Sequence, residues 1–335
     1  MRPGRPFVPD IVRDAANYKL NLVHLRLQPK ENSMGARRYV ILDVFTSSPL
    51  EGNPLAVVLD CDGLDTAAML KIAGEFNLSE TVFVLPPEDE MQTARIRIFT
   101  PAYEMPFAGH PTVGTAVTLA VERGLQDAAE VVLGENIGPV RCVVSSVDGL
   151  MGARFEVPKL PERLAFDADI EAIAEALGLE ASEIGMDGHE IAVWSAGVPY
   201  VTVPVSGLAA AGKVRFDTHR WAALAPAKSA DTFASAYVYC KEAMEAEAHF
   251  HARMFVTGGS PYEDPATGSA AAAFIGQAVA CEKFADGTTR LVIEQGMEMG
   301  RPSRIGVDID VADGRADAAR IGGSAVIVAQ GTLLV

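Results

Sequence analysis

The sequence predicts an α/β (α+β) fold made of two similar domains, and three observations carry that expectation. The chain has 335 residues, about right for two domains of ordinary size. Strand-like and helix-like stretches run in similar order through its two halves. A short pattern, H/D-P-x-x-G-T/S-A, occurs twice: in "GHPTVGTAVTLA" at 109–120 and in "EDPATGSAAAAF" at 263–274.

Residues 1–38 read as an N-terminal extension outside both domains, either disordered or an over-long gene start. They lack the compact apolar core of a signal peptide and carry Asp10, Asp14 and Glu31, which a transit peptide would avoid. Met34 opens "MGARRYVILDVF" like a fresh start. "RYVILDVFT" is rich in β-branched residues and reads as a strand, "SSPLEGNP" as a turn-rich break and "LAVVLD" as a second strand. "LDTAAMLKIAGEF" spaces its apolar residues as a helix does, with Asp65 or Thr66 as cap, and "NLSE" ends it. Strands "TVFVLPP" and "ARIRIFT" lead through "PAYEMPFAGHP" into the apolar helix "TVGTAVTLAVERG". Strands "AEVVLG", "GPVRCVVSS" and "ARFEVP" complete a first domain, 39–157.

"PKLPERLAF" at 158–166, with two prolines, reads as the linker into a second domain, 158–335. There a helix at 168–178 precedes strands "EIAVWSAG", "PYVTVPV", "FASAYVYC" and "AEAHFHARMF". The loop "VTGGSPYEDP" opens the apolar helix "ATGSAAAAFIGQAVA". Strands "TRLVIEQG", "SRIGVDIDV" and "AVIVAQGTLLV" follow, the last able to pack on the first domain.

Composition narrows the function. Hydrophobic residues make up 49% and charged residues 21%, an ordinary globular balance, and no run of about 18 apolar residues appears. Acids outnumber Lys and Arg by 44 to 28, and eight of those 28 lie in residues 1–38. A body this acidic repels phosphate backbones and anionic lipid, so neither nucleic acid nor membrane is expected as a partner. Cys61, Cys142, Cys240 and Cys281 form no close pair and have apolar neighbours, as reduced, buried thiols of a cytoplasmic protein do.

Superimposing the two motif copies sets His110 on Asp264, Pro111 on Pro265, Gly114 on Gly268 and Thr115 on Ser269, at a constant offset of 154. This points to an internal duplication. A helix start presents unpaired N–H groups and the positive end of a dipole. Glycine lets a ligand approach the backbone, and proline gives up an N–H that lacks a helical partner anyway. Two such ends facing one cleft suit a small carboxylate, with His110 and Asp264 flanking the reacting atom.

Five stretches occur in order over residues 39 to 335: "GNPLAVV", "NLSETVFV", "FAGHPTVGTA", "EDPATGSA" and "EQGMEMGRPS". Together they resemble the PhzF family of phenazine-biosynthesis-like isomerases. The resemblance implies the diaminopimelate-epimerase-like fold: two pseudo-symmetric domains, each a curved, mostly antiparallel sheet wrapped around a central helix. It explains helices so rich in Ala and Gly, since a helix enclosed by a sheet is apolar all round. It also implies that Glu80, in the S-E-T motif, is the catalytic acid/base, with His110, Asp264 and Ser269 as its polar shell. Asn53, Gly109, Pro111, Thr112, Thr267 and Gly268 would bind the anionic substrate.

A carboxyl in a closed cleft has its pKa raised by desolvation and can take and return a proton near neutral pH. The implied reaction is an allylic proton shift on a small carboxylate, such as a dihydro-hydroxyanthranilate in phenazine biosynthesis. It needs neither metal nor organic cofactor. A homodimer is implied as well. An epimerase or racemase of another small amino or cyclic acid, and a ligand-binding protein that has lost turnover, stand as alternatives. Racemases of this fold use two thiols, but Ala108 occupies the first thiol's place here and "DPATG" has no cysteine.

Two other patterns fall short. "GLAAAGKV" at 207–214 matches a phosphate loop through Lys213, but Val214 replaces the metal-binding hydroxyl and no long helix follows. His249 and His251, with Glu247, are spaced to share one strand face, yet no motif supplies a third metal ligand.

Overall fold

A computed structural model describes residues 35–335 apart from 126, 148, 230–231 and 258–261, so most of the expected N-terminal extension lies outside the described residues. The chain opens with β1 (Ala36–Val44), β2 (Asn53–Val58), α1 (Thr66–Phe76), β3 (Glu80–Leu85), β4 (Ala94–Phe99) and β5 (Glu104–Met105). Then come α2 (Gly109–Glu122), β6 (Ala129–Glu135), β7 (Gly138–Val147), β8 (Leu150–Glu156) and β9 (Glu162–Leu164). The second half runs α3 (Ile170–Leu177), β10 (Ala192–Ser195), β11 (Pro199–Pro204), α4 (Leu208–Lys213), α5 (Thr218–Leu224), β12 (Ala227–Ser229) and β13 (Thr232–Phe233). It closes with β14 (Ser235–Cys240), β15 (Phe250–Phe255), β16 (Glu263–Asp264), α6 (Gly268–Glu282), β17 (Gly287–Gln295), β18 (Ser303–Ala312) and β19 (Arg315–Leu334).

Strand pairing gives two curved sheets that share β19. In the first, β1, β2, β3, β4, β6, β7 and β8 pair in succession, and β19 closes the ring by pairing with both β8 and β1. In the second, β9, β10, β11, β14, β15, β17 and β18 pair in succession and end on β19. Most pairs are antiparallel. The central helices are buried on every side: Gly109–Ala120 in α2 and nearly all of Gly268–Val279 in α6. An apolar surface all round is what a helix inside a sheet requires. This is the two-domain, sheet-dominated α/β fold that the sequence implies.

Three local features differ from the sequence reading. Part of the proline-rich linker is the exposed strand β9, which pairs with β10 on one side, where Pro161 just before it removes no ladder bond. The short helices α4 and α5 carry too few turns for a periodic signal. "AEAHFHARMF" begins its strand only at Phe250, so the exposed His249 precedes β15 and does not share a strand face with His251.

The duplication is real, but its register is not the one the motif suggests. Arg97 pairs with Glu104 (2.8 and 2.5 Å) and sits 5.1 Å from the Phe99 ring centroid; Arg253 pairs with Glu263 (2.7 and 2.8 Å) and sits 5.0 Å from that of Phe255. Phe99 lies opposite Glu104 and Ile98 opposite Met105, just as Phe255 lies opposite Glu263 and Met254 opposite Asp264. The helices then start at Gly109 and Gly268. Met105 is therefore the counterpart of Asp264, and His110 that of Ser269; Thr115 lies further down α2, its hydroxyl buried without a partner. The prolines misled the alignment. Pro111 is inside the first turn of α2 whereas Pro265 precedes α6, and proline suits either place.

Candidate active site

The site starts from the "GNP" turn. Arg301, from the "EQGMEMGRPS" stretch, donates to the Asp43 carboxylate (2.6 Å) and to the carbonyls of Glu51 (2.8 Å) and Gly52 (2.9 Å). The Gly52 N–H donates to the Pro302 carbonyl at 3.0 Å. Held this way, fully buried Asn53 opens β2 facing both helix starts. Its amide donates to Asp264 Oδ1 (2.9 Å) and to the Ala266 carbonyl (2.9 Å), and lies 3.3 Å from His110 Nδ1. An amide has only two hydrogens, and both are used.

Asp264 is fully engaged. Ser79 Oγ also donates to its Oδ1 (3.3 Å), and Thr267 Oγ1 donates to its Oδ2 (2.5 Å). The Gln295 amide donates to the Asp264 carbonyl (2.7 Å) and lies 3.2 Å from Thr267 Oγ1, while its oxygen accepts the Thr267 N–H (3.4 Å).

Glu80 is different. Helix α1 is capped by Asp65 and ends on Asn77 in the left-handed conformation, a geometry asparagine tolerates. The turn "NLSE" then delivers Glu80 as the first residue of β3, its side chain 12% exposed. Glu80 Oε2 and His110 Nε2 face each other at 3.4 Å without hydrogen-bond alignment, so both atoms are buried with no partner. Burial raises the Glu80 carboxyl well above the carboxylate range, and the Asp264 charge adds to it. Burial likewise lifts Asp264 to about 6, against the bonds from Thr267, Asn53 and Ser79. Two neighbouring carboxyls in one desolvated site resist ionising together. His110, buried, is lowered to about 3 and stays neutral, with Nδ1 3.3 Å from the Asn53 amide and Nε2 3.4 Å from Glu80 Oε2.

The two helix starts meet beside these groups. A Cβ on Gly109 would lie 2.8 Å from the Gly268 Cα, and one on Gly268 would lie 3.0 Å from the Gly109 Cα, so only glycine fits at either place. Ser269, on the first turn of α6, shares a 2.7 Å hydrogen bond with the Tyr200 hydroxyl. Tyr103 and Tyr262, counterparts in the two repeats, stand nearby. Partial desolvation of the hydroxyl is the largest cause that raises the phenols of Tyr103 and Tyr262, whose rings are otherwise exposed; the Glu80 charge adds to it for Tyr103, and the charges of Asp264 and Glu80 for Tyr262.

Of the residues singled out from sequence, Asn53, Glu80, His110 and Asp264 come together, with Gly109, Gly268 and Ser269 beside them. Pro111, Thr112 and Thr267 do not supply anion-binding N–H groups. Pro111 has none, that of Thr112 is bonded to the Ala108 carbonyl (3.1 Å), and that of Thr267 goes to Gln295. The groups left at the first turns are those of Gly109 and His110 and of Gly268 to Ala270. Ser79, Tyr103, Tyr200, Tyr262, Gln295 and Arg301 were missed. Ser79, Gln295 and Arg301 lie within quoted motifs, Tyr103 and Tyr262 open the repeated Y-E-x-P-x-x-G pattern, and Tyr200 carries no sequence signal.

The other candidates lie elsewhere. Cys61, Cys142 and Cys240 are buried and Cys281 is half-buried, all free, and burial pushes the thiols of Cys61 and Cys240 up to about 12. His251 is held between Glu294 (2.8 Å) and Glu298 (3.0 Å), and among the described residues no cluster of three or more His, Cys, Asp or Glu is placed to hold a metal. Lys213 of the loop-like motif is ion-paired with Glu183 at 2.6 Å. No helix among the described residues is long and apolar enough to cross a membrane.

Comparison with known proteins agrees with this architecture. The family model of the phenazine biosynthesis-like proteins, PhzC-PhzF, matches residues 42–331, and the chain belongs to that family of isomerases. An uncharacterised isomerase of Mesorhizobium japonicum is 59% identical over 90% of this chain and 100% of its own length. The trans-2,3-dihydro-3-hydroxyanthranilate isomerase of Pseudomonas aeruginosa is 36% identical over 88% of this chain and 98% of its own. Among solved structures, a PhzF-family phenazine biosynthesis protein of Bacillus anthracis aligns with a TM-score of 0.79 at 29% identity, over 90% of this chain and all of its own.

Proposed function

We propose that this isomerase moves a proton between two carbons of a small cyclic carboxylate, with Glu80 as the single acid/base. The observation that carries the reading is the contrast between its two carboxyls. Asp264 has hydrogen-bond donors on both oxygens, whereas Glu80 Oε2 is buried with none. A carboxyl with a raised pKa is a strong base when ionised and a ready acid once protonated. Glu80 takes the proton from one carbon, the double bond shifts, and the same carboxyl returns the proton to the allylic carbon. Neutral His110 flanks Glu80 with its Nε2 3.4 Å from Oε2, and Asp264 and Asn53 fix the geometry. The two abutting helix starts hold the substrate carboxylate.

Three tyrosines around the site suit a ring-shaped substrate. The 36% identical relative supports trans-2,3-dihydro-3-hydroxyanthranilate in particular. The reading sets the divide between domains at residues 157 and 158, with the site where they meet, and includes a cytoplasmic homodimer, which sedimentation and cell fractionation test. NMR of that dihydro acid with the protein, beside Glu80→Gln, tests the function. Migration of the double bond with wild type and none with the variant is expected. If the wild type leaves this acid unchanged but exchanges deuterium into other cyclic carboxylates, the substrate is wrong and the chemistry stands; no exchange into any carboxylate overturns the reading.

A further inference from the structure

The internal duplication exposes a residue that the site description does not use. Strand β4 pairs in parallel with β6, Arg95 opposite Gly134; strand β15 pairs in parallel with β17, His251 opposite Glu294. With Arg97 the counterpart of Arg253, the next residue on each partner strand is also matched, so Glu135 is the counterpart of Gln295. Both lie just behind a helix start. Gln295 bonds the Thr267 N–H, while Glu135 Oε1 lies 2.7 Å from Thr112 Oγ1 on the first turn of α2. Glu135 is 6% exposed, and its Oε2 is buried without a partner.

The Thr112 hydroxyl has two oxygen neighbours, Glu135 and the Ala108 carbonyl at 2.8 Å, but only one proton to give. If Glu135 is ionised, one of the two short contacts sets two acceptors against each other. If Glu135 carries a proton, it donates to Thr112 while Thr112 donates to Ala108, and both contacts are satisfied.

We propose that Glu135 works as a neutral carboxylic acid that positions the first turn of α2, the part the Gln295 amide plays at the start of α6. The inference rests on the proposed carboxylate site at the helix starts and names a residue that maintains it. Ionisation would place a negative charge behind the positive end of α2 and weaken its hold on an anion. Burial raises the Glu135 carboxyl to about 8, against the Thr112 bond and the charge of Arg95. The ionisable groups packed around it are consistent with a neutral acid. Arg95 on β4 is tied to the carbonyls of Gly134 and Ile96 and to Asn136. Cys142 on β7 is a thiol that burial raises well above its ordinary value, with smaller contributions from Glu135 and from Glu130 on β6. His110, two residues from Thr112 on α2, is neutral.

Two readouts test the proposal. The first is affinity for anthranilate, a simple aromatic carboxylate probe, followed from about pH 6 to about pH 10 in wild type, Glu135→Gln and Glu135→Ala. Wild-type affinity is expected to fall roughly tenfold through a midpoint near 8. That of Glu135→Gln lacks this fall and keeps only the pH dependence that Glu80 and Asp264 impose on both proteins, and Glu135→Ala binds weakly throughout, so glutamine rescues what alanine loses. An alkaline fall in Glu135→Gln that matches wild type overturns the proposal.

The second readout is thermal unfolding, which needs no ligand and keeps the test alive if anthranilate does not bind. The folded pKa of about 8 lies above the unfolded value of about 4.3, so wild type loses stability as pH rises between the two and no more beyond. The Tm advantage of Glu135→Gln over wild type should widen across that window and then level off. An advantage that does not change with pH overturns the proposal, even if the isomerase reading holds. Failure of anthranilate to bind with the widening intact counts against the carboxylate site instead.

Discussion

The two repeats, 97–135 and 253–295, share a frame and differ in chemistry. Each has an arginine on an aromatic ring and a glutamate, a tyrosine just before that glutamate, and a glycine five residues after it opening a buried helix. Within that frame the second repeat carries Asp264, Thr267, Ser269 and Gln295 where the first has Met105, Ala108, His110 and Glu135. The parts that build two helix starts face to face are duplicated, while those that handle a proton are not. Glu80, from the strand before the first repeat, completes a site that is asymmetric on a symmetric base. On the proposed reading, duplication supplied the floor that binds the anion and divergence the acid/base chemistry.

Breaking the asymmetric part should have the largest effect. Glu80→Gln should cost about 10²- to 10⁴-fold in turnover, measured by NMR, with the fold intact by circular dichroism. Met105→Leu, at the position opposite Asp264 in the duplication, should leave turnover within about twofold, since volume-conserving apolar exchanges are tolerated.

The frame can be tested through its arginines. Arg253, 6% exposed, also donates to the Ala211 carbonyl, whereas Arg97 is 20% exposed. Arg253→Ala should cost about 3–5 kcal/mol in denaturant unfolding, as loss of one partner of a buried ion pair does. Arg97→Ala should cost less, about 1 kcal/mol, since solvent partly screens this half-buried pair. At the seam between the repeats, Gly109→Ala and Gly268→Ala should each cost about 1–3 kcal/mol through backbone overlap. The double variant should cost less than their sum, because both break one contact.

A further change tests the coupling of the two carboxyls. The Asp264 charge raises the Glu80 pKa, so Asp264→Asn removes that push. The acid limb of the rate profile, where ionised Glu80 forms, should move to lower pH; an unmoved limb would show that the two carboxyls are not coupled.

Much of this was legible in the sequence. Runs of β-branched residues mark the strands and all-apolar stretches the buried helices. The curvature of the sheets and the importance of Glu80 came through the resemblance to the PhzF family. His110 and Asp264 stand in the repeated motif and Asn53 in "GNP". The register of the duplication is written in the sequence as Y-E-x-P-x-x-G, at 103–109 and 262–268, which sets Pro265 on Pro106; the longer likeness of the H/D-P-x-x-G-T/S-A copies drew Pro265 onto Pro111 instead. The kinship of Glu135 and Gln295 was hidden for a related reason: "VLGE" and "VIEQ" align only once parallel pairing to β4 and β15 sets their positions. Tyr200 reaches the site through tertiary packing, which no local pattern records.

The central claim is that one buried carboxyl both removes and returns the proton, and label transfer tests it most directly. The substrate is deuterated at the carbon that loses its proton, and the product is read by NMR after early turnover in ordinary water. With Glu80 only 12% exposed, the account predicts that a measurable share of the deuterium reappears at the new carbon of the same molecule. Complete replacement by solvent hydrogen from the first turnovers would contradict it and point to two separate groups giving and taking the proton.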